Sequence, residues 1–274
     1  MAVVVPKGWT RPVAFTQPPP SIPSEQLVLF PRKTLLELPK TSGLDIYQFV
    51  QADNNRKYYL KLDRDGRYVR ASEWLSYRLA NLVGIPTPRC DCIQTFNGDI
   101  AFGSEDIAGV ASRAETVRYL QTDSLTEFGR PITGLQAALS AIHVFDLFIN
   151  NIDRHHQNFL VIGDGDERHL VALDFARSLF WQWPLIGFPA ADELTVEAWI
   201  ELRERHGFDL SAAQTTLDRI GIITEAQVVS ILEQMPSHWL PQNLQDECRA
   251  YCRDGGWRAR VDELRRGLED GSIV

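Results

Sequence analysis

The sequence predicts an α+β fold, in which a β-rich first part is followed by a mainly helical second part. Short runs rich in β-branched and aromatic residues concentrate in residues 27–108, whereas apolar positions at helical spacing dominate residues 109–274. Hydrophobic residues make up 44% of the 274-residue chain, which is ample for a buried core. We therefore expect two lobes over these ranges, preceded by an extended N-terminal arm over residues 1–26 that contains PPPSIP.

The elements of the first part follow from local patterns. LVLF, IYQFVQAD and KYYLKLD are predicted strands, and DNNR between the last two is a turn signal that makes them a hairpin. RASEWLSYRLANLVG has apolar residues at helical spacing, so we expect a helix that Ser72 caps and that ends at Gly84. CDCIQTF and DIAFGS form a further strand pair around NGD.

The second part is predicted to be helical. GLQAALSAIHVFDLFINN is a strongly apolar helix. Beyond residue 190, breaks at Pro and Gly separate further predicted helices over residues 193–206, 211–220, 224–234, 241–253 and 257–270.

Composition argues against several functional classes. The net charge of −8 and pI of about 5.3 disfavour direct nucleic-acid binding, since neutralisation of phosphates dominates that affinity. No apolar run reaches the ~20 residues of a membrane span. Pro6 and Lys7 interrupt the start of the chain, so we expect no signal peptide and a cytoplasmic protein. The cysteines lack the usual zinc-ligand spacing, and reduced structural thiols are expected at Cys90, Cys92, Cys248 and Cys252.

The most informative segment is NNIDRHHQNFLVIGDGDERHLVALDFA, in the middle of the chain. Two apolar runs, FLVIG and HLVAL, flank DGDER and predict a hairpin. A turn symmetric about Asp166 would pair Gly163 with His169. The same register would place Asn158 opposite Asp174 at the open end of the hairpin.

An amide and a carboxylate in this arrangement offer hard oxygen ligands, which suit a Mg²⁺ ion that also holds phosphates. Asp153 lies five residues before Asn158, on the loop after the long helix, where it can accept a hydroxyl proton or orient the hydroxyl. This is the division of labour in phosphoryl transfer. Single Asp and Asn residues are often only caps or turn residues, so the interpretation depends on their joint spacing.

DRHHQN followed by LDFA resembles the catalytic and metal-binding segments of HipA-like kinases and of the related phosphatidylinositol-kinase-like group. The resemblance implies a two-lobed protein-kinase-like fold, with Asp153 as the catalytic Asp, Asn158 and Asp174 as Mg²⁺ ligands, and His155 supporting the loop. Ala176 departs from the Gly that many kinases have after Asp-Phe, which weakens the case for an activation-loop switch.

The resemblance is specific over about residues 146–176, looser over residues 40–88, and architectural elsewhere. A kinase needs a lysine on a strand of the first lobe, and YYLKL supplies Lys61. Glu73 on the following helix could pair with Lys61 and hold it on the phosphates of ATP. A solvent-facing lysine and an exposed first-turn acid are the structural alternatives.

Two other segments are candidates for nucleotide binding. KTSG, with Ser42 and Gly43, could present backbone N–H groups to phosphate oxygens. It resembles the short Ser-Gly loop of HipA-like kinases, which implies autophosphorylation at Ser42 or Thr41, although a plain turn serine is the alternative. DIAFGSED, which includes Gly103, Ser104 and Glu105, links the two lobes, so its backbone could receive the adenine. Phe102 and Ile107 are candidates for the walls of the adenine pocket, and core packing is the alternative.

The sequence therefore predicts an ATP- and Mg²⁺-dependent kinase whose acceptor, by resemblance, is a Ser or Thr hydroxyl of a protein. Its expected partners are ATP, a protein substrate and, as HipA itself has one, a regulatory partner protein. A nucleotide-binding pseudokinase scaffold, a kinase of lipids or small molecules, and a metal hydrolase stay open as alternatives. The hydrolase would depend on histidines that lack any standard metal-binding pattern, namely His143, His155, His156 and His169.

Overall fold

A computed structural model describes residues 30–39, 46–121, 134–163 and 168–273. Five strands form one sheet in the order β1-β2-β3-β5-β4, which closes through a short parallel pairing of β1 with β4. Their bounds are Arg32–Leu38 (β1), Gln48–Ala52 (β2), Lys57–Lys61 (β3), Cys90–Gln94 (β4) and Ile100–Glu105 (β5).

The two predicted hairpins of this sheet are confirmed. β2 and β3 pair antiparallel around the DNNR turn, and β4 and β5 pair antiparallel around NGD. β1 was not predicted from the sequence, because RKTLLEL lacks regular alternation of apolar and polar residues, and five of its seven residues are exposed. The predicted strand LVLF lies outside the described residues except for Phe30, which is in a bend.

Helix α1, Val69–Val83, follows β3 and ends as predicted at Gly84, which adopts a left-handed conformation with φ of 83°. The prediction that Ser72 caps this helix is wrong. The N-cap residue is Tyr68, and the carboxylate of Asp63 accepts a hydrogen bond from the backbone N–H of Arg70 (2.9 Å). Asp63 thus satisfies an orphan donor of the first turn from outside the helix.

Over residues 134–163 and 168–273, the regular structure of the second part is helical apart from one hairpin, β6 (Phe159–Ile162) and β7 (His169–Ala172). The apolar helix and the helices predicted beyond residue 190 are confirmed to within a few residues; α2 alone was not predicted as a separate element. The helices are α2 (Arg113–Gln121), α3 (Leu135–Phe148), α4 (Leu194–His206), α5 (Leu210–Gly221), α6 (Glu225–Glu233), α7 (Gln242–Arg253) and α8 (Gly256–Asp270).

The predicted register of the β6–β7 hairpin is wrong by one residue. Phe159 pairs with Ala172 rather than with Leu173, so that Asn158 lies beside Leu173 and not opposite Asp174. A shift of one residue exchanges the two faces of a strand. The observed register brings buried side chains of β6 opposite buried side chains of β7, which is the pairing that the core requires. The turn at residues 164–167 lies outside the described residues.

The main hydrophobic core includes α1 together with the helices of the second part. Trp74 of α1 packs edge-on against Trp239 with 6.0 Å between ring centroids. The indole N–H of Trp74 donates to the carbonyl of Ile231 in α6 (3.0 Å), and that of Trp239 donates to the carbonyl of Ile100 (3.1 Å). A smaller apolar cluster fills the inside of the sheet. No helix in the described ranges is long and apolar enough to cross a membrane.

Candidate active site

The loop after α3 carries Asp153 and leads through a single 3-10 turn, His156–Asn158, into β6. The side-chain N–H of Asn158 donates to the backbone carbonyl of Asp153 (2.8 Å), so that both ends of the predicted Asp-x-x-x-x-Asn pattern are tied together. Nδ1 of His155 accepts from the backbone N–H of Gln157 (3.2 Å) and caps the turn. Burial lowers the pKa of His155, which favours the neutral ring that this bond needs.

Asp174 lies two residues beyond β7 with a left-handed backbone, φ of 61°. Asp is one of the few residues that tolerate this region, because its short polar side chain can bond locally. Here its Oδ1 accepts from the backbone N–H of Ala176 (3.4 Å) and from the ammonium of Lys61 (2.6 Å). The backbone turn therefore directs the carboxylate toward β3.

The predicted pairing of Lys61 with Glu73 is confirmed. Nζ of Lys61 lies 2.5 Å from Oε1 of Glu73, and the lysine side chain is almost fully buried. The second oxygen of Glu73 accepts from the backbone N–H of Phe175 (3.1 Å). One lysine is thus held between two carboxylates, one from α1 and one from the end of the β6–β7 hairpin.

The three charges of this cluster shift one another's pKa values. Burial by itself would lower the pKa of Lys61, but Asp174 and Glu73 outweigh it and raise the pKa above the ordinary lysine value. Burial raises the pKa of Glu73 to about 7, against the opposing effect of Lys61. Burial would also raise the pKa of Asp174, but Lys61 outweighs it and holds that pKa below its usual value. Glu73 is therefore the member that titrates near neutral pH.

The sequence interpretation missed Arg154, which joins the parts of the site. Its guanidinium forms a two-pronged contact with the fully buried carboxylate of Asp146 in α3 (2.8 and 2.9 Å). It also donates to the backbone carbonyls of Asn158 and Leu173, one on each strand extension of the hairpin. No spacing rule predicts a contact between Asp146 and Arg154, which are eight residues apart and on either side of a helix end. The only sequence signal for Arg154 was its place directly after Asp153 in the loop.

Arg177 was also missed. It follows the Asp-Phe-Ala segment, and its guanidinium NH1 atom lies 3.3 Å from a carboxylate oxygen of Asp153. Its backbone carbonyl accepts from the N–H of Ile152 (3.2 Å), so the segment after Asp174 is attached directly to the loop that carries Asp153.

The adenine prediction needs correction. β5 lies in the sheet between β3 and β4, and Phe102, Gly103 and Ser104 are paired on both sides. Their backbone groups are used in the sheet, so the expectation that these groups receive the adenine is wrong. Phe102 is fully buried against Tyr77, as its core alternative implied. Glu105 ends the strand and forms an ion pair with Arg56 (2.7 Å).

Other predicted sites are placed as follows. Ser42, Gly43 and Thr41 lie outside the described residues. His143 is stacked on Trp199 in the core, with 4.0 Å between ring centroids, and burial lowers its pKa to about 3. The four cysteines are free thiols. In the described part of the chain, no group of three or more His, Cys, Asp or Glu side chains is placed to hold a metal ion.

The closed sheet with its buried lysine, the helix that supplies a glutamate to it, and the loop and hairpin behind them define a kinase-like α+β fold. The crystal structure of a Helicobacter pylori proinflammatory kinase, CtkA, is similar to the chain with a TM-score of 0.56 at 15% sequence identity. The match covers 85% of this chain and 96% of that one, which establishes the fold.

A family model described as HipA-like kinase matches residues 43–254. The chain belongs to the HipA-like kinase family and thus to the protein-kinase-like phosphotransferases. A structure of the Shewanella oneidensis MR-1 toxin–antitoxin system, with HipA, HipB and its operator DNA, is similar with a TM-score of 0.48 at 11% sequence identity. The match covers 89% of this chain and 69% of that one. A Golgi casein kinase with Mn/ADP bound is similar with a TM-score of 0.45 at 13% sequence identity, and the match covers 86% of this chain and 71% of that one. A search of curated proteins found no match.

Proposed function

We propose that this chain is an ATP- and Mg²⁺-dependent kinase that transfers the γ-phosphoryl group to a Ser or Thr hydroxyl of a protein. The observation that carries the proposal is the buried contact of Lys61 with both Glu73 and Asp174. It joins the sheet, helix α1 and the hairpin at one point. We also propose that residues 27–108 and 109–274 act as two lobes that hold the nucleotide between them.

The residues present suit a magnesium ion. Asn158 uses its side-chain N–H toward Asp153, which leaves the amide oxygen as the atom for a cation. Asp174 is ionised at neutral pH, and its side chain is a quarter exposed, so a ligand can reach it. Carboxylate and amide oxygens are the donors that Mg²⁺ takes in proteins. Mg²⁺ bound to this pair would neutralise charge on the phosphates of ATP.

Each side chain then has a separate task. Lys61, oriented by Glu73, donates to phosphate oxygens and keeps its positive charge because its pKa is raised. Asp153 orients the acceptor hydroxyl and takes its proton. Arg154 acts on neither reactant; it fixes the loop of Asp153 relative to the hairpin of Asp174. The catalytic gain under this proposal comes from positioning and from charge stabilisation.

The HipA-like sequence pattern supports a protein Ser or Thr hydroxyl as the acceptor. The experiment must distinguish this acceptor from a lipid or a small molecule. A regulatory partner stays a prediction. The second candidate is a scaffold function, in which ATP binds without turnover. It is favoured by Ala176, which stands where many kinases have Gly.

The test incubates purified protein with γ-labelled ATP and Mg²⁺ and follows label on protein, lipid and free phosphate. We expect label on Ser or Thr in the wild type, a loss of about 100-fold or more in Asp153→Asn with nucleotide binding retained, and loss of Mg²⁺-dependent binding in Asp174→Asn. Asp218→Asn, an exposed aspartate of α5, is the matched control.

Binding of ATP by a wild type that transfers no label to any acceptor would identify the scaffold instead. Label that appears only on lipid or a small molecule would correct the acceptor class. A wild type that does not bind ATP would contradict the whole proposal.

A further inference from the structure

We infer that Arg177 is a further catalytic residue, whose guanidinium binds the phosphoryl group while it passes from ATP to the acceptor. This inference rests on the proposed function. No motif marks Arg177; the observations concern its position, its unused donors, its support and the charge of the site.

The first observation is the position of Arg177 beside Asp153. Arg177 touches Asp153, with 3.3 Å between NH1 and the carboxylate oxygen. A group that orients the acceptor hydroxyl must lie within hydrogen-bond reach of it, about 3 Å, and the attacking oxygen must lie about 3–3.5 Å from the phosphorus. A guanidinium in contact with Asp153 is therefore within a few ångströms of the group in transit.

The second observation is that most N–H groups of the guanidinium make no hydrogen bond to the part of the chain that the structure describes. There, the Arg177 guanidinium donates one hydrogen bond, of 3.3 Å to Asp153, whereas that of Arg154 donates two to Asp146, of 2.8 and 2.9 Å. Within the described ranges, Nε of Arg177 is buried and has no hydrogen-bond partner. A buried donor without a partner is unfavourable, and an oxyanion that arrives with the substrate would satisfy it.

The third observation is that Arg177 is held in place. Its guanidinium lies over the ring of Trp181 at 5.5 Å, and Arg67 covers the same ring at 5.2 Å. Arg67 also donates to the backbone carbonyl of Trp181 (2.7 Å). Because its own backbone is bonded to Ile152, the arginine is positioned before substrate binds, as electrostatic stabilisation requires.

The charge of the site favours a second cationic side chain beside the proposed Mg²⁺. Lys61 faces two carboxylates, Glu73 and Asp174. A lysine so engaged is a poor sole cationic side chain for a group that carries charge on three equatorial oxygens. Arg177 supplies a planar fork that matches such oxygens in pairs.

The step balances without a further reactant. The acceptor oxygen forms a bond to the γ-phosphorus, and the bond from that phosphorus to the β,γ-bridging oxygen breaks with its electron pair moving to ADP. The hydroxyl proton moves to Asp153. Arg177 forms and breaks no covalent bond; it moves its hydrogen bonds onto the phosphoryl oxygens.

The test compares wild type, Arg177→Gln, Arg177→Lys and the matched control Arg253→Gln, which alters an arginine whose ion pair with Asp254 is exposed. Phosphoryl transfer gives kcat and KM, and calorimetry gives the affinity for ADP with Mg²⁺, alone and with aluminium fluoride as a mimic of the group in transit. We expect Arg177→Gln to lower kcat about 100-fold, with KM for ATP and ADP affinity within about twofold, and to lose most of the extra affinity for the mimic.

Arg177→Lys should recover part of kcat, and Arg253→Gln should leave both measurements near the wild type. Arg177→Gln that behaves like Arg253→Gln, or that is faster than the wild type, would overturn the inference while the proposed function stands. A wild type with no turnover and no affinity for the mimic would overturn both. Should Arg177→Gln fail to fold, the kcat and mimic affinity of Arg177→Lys decide, since a wild-type value in both would exclude the role.

Discussion

Lys61 is the residue on which the electrostatic balance of the site depends. It is buried between the carboxylates of Glu73 and Asp174, so its removal leaves two negative groups without a cation. Breaking a buried ion pair on one side typically destabilises by about 3–5 kcal/mol. The size of this effect should depend on pH because of Glu73.

The folded-state pKa of Glu73, about 7, lies above its ordinary value of 4.5. The folded state therefore binds the proton more tightly, and the contribution of Glu73 to stability falls as the pH rises from 4.5 through 7. Without Lys61 this pKa rises further. We expect Lys61→Met to lower the free energy of unfolding by about 3 kcal/mol at about pH 8 and by less at about pH 5.

Urea unfolding at both pH values measures this difference. Lys57→Met, an exposed lysine of the same strand, is the control and should change stability by no more than about 0.5 kcal/mol. Glu73→Gln removes the titrating group and should flatten the fall in stability over the same range. An equal loss at both pH values for Lys61→Met would contradict the raised pKa of Glu73.

At the scale of elements, Arg154 connects α3, the loop of Asp153 and the β6–β7 hairpin. Arg154→Met should destabilise by about 3 kcal/mol, because the carboxylate of Asp146 is then buried without its cation. The double variant Asp146→Leu with Arg154→Met should recover part of this loss but not phosphoryl transfer, since the loop and hairpin are no longer joined. Thermal unfolding together with the labelled-ATP assay separates the two effects.

Arg253→Met is the matched control, because Arg253 forms an ion pair with both side chains exposed. Such exposed pairs contribute little to stability, because water and salt screen the two charges. A double variant that transfers phosphate at the wild-type rate would show that the connection through Arg154 is structural only.

Local patterns were sufficient for most elements. Helix α1 and its end at Gly84 followed from apolar spacing and a glycine stop, and the DNNR turn marked its hairpin. The register of β6 with β7 did not follow from local patterns, because it is decided by which side chains the core buries and not by the symmetry of the turn.

The site was predicted unevenly for the same reason. The pairing of Lys61 with Glu73 was predicted because strand and helix follow each other in the chain. The contacts of Arg154 with Asp146 and of Arg177 with Asp153 are made across a helix end and between separate loops, where sequence spacing carries no geometric information. β5 pairs with a strand on each side because of the order of strands in the sheet, and local sequence patterns do not reveal that order.

At the scale of the whole molecule, helix α1 connects the five-stranded sheet with the core of the later helices. It lies between β3 and β4 in the chain, yet Trp74, Leu75 and Leu79 are fully buried in the core that the later helices share. A fragment of residues 109–274 would expose the apolar surfaces that these side chains cover. We expect this fragment to show no cooperative thermal transition, whereas the full chain unfolds in one transition.

Calorimetry and near-ultraviolet circular dichroism measure this difference. Addition of a separate fragment of residues 30–108 should restore a cooperative transition if α1 completes the core. A sharp transition of residues 109–274 alone, near the melting temperature of the full chain, would show instead that the helical part is independent.

The left-handed backbone at Asp174 has a consequence for how such a protein evolves. Asn accepts this conformation about as readily as Asp, and the two residues differ by a single nucleotide in their codons. A mutation from Asp to Asn there would remove the charge proposed to hold the metal with no strain in the main chain. A descendant could thus lose enzymatic activity in one mutational step, keep its folded shape, and be retained by selection for binding alone.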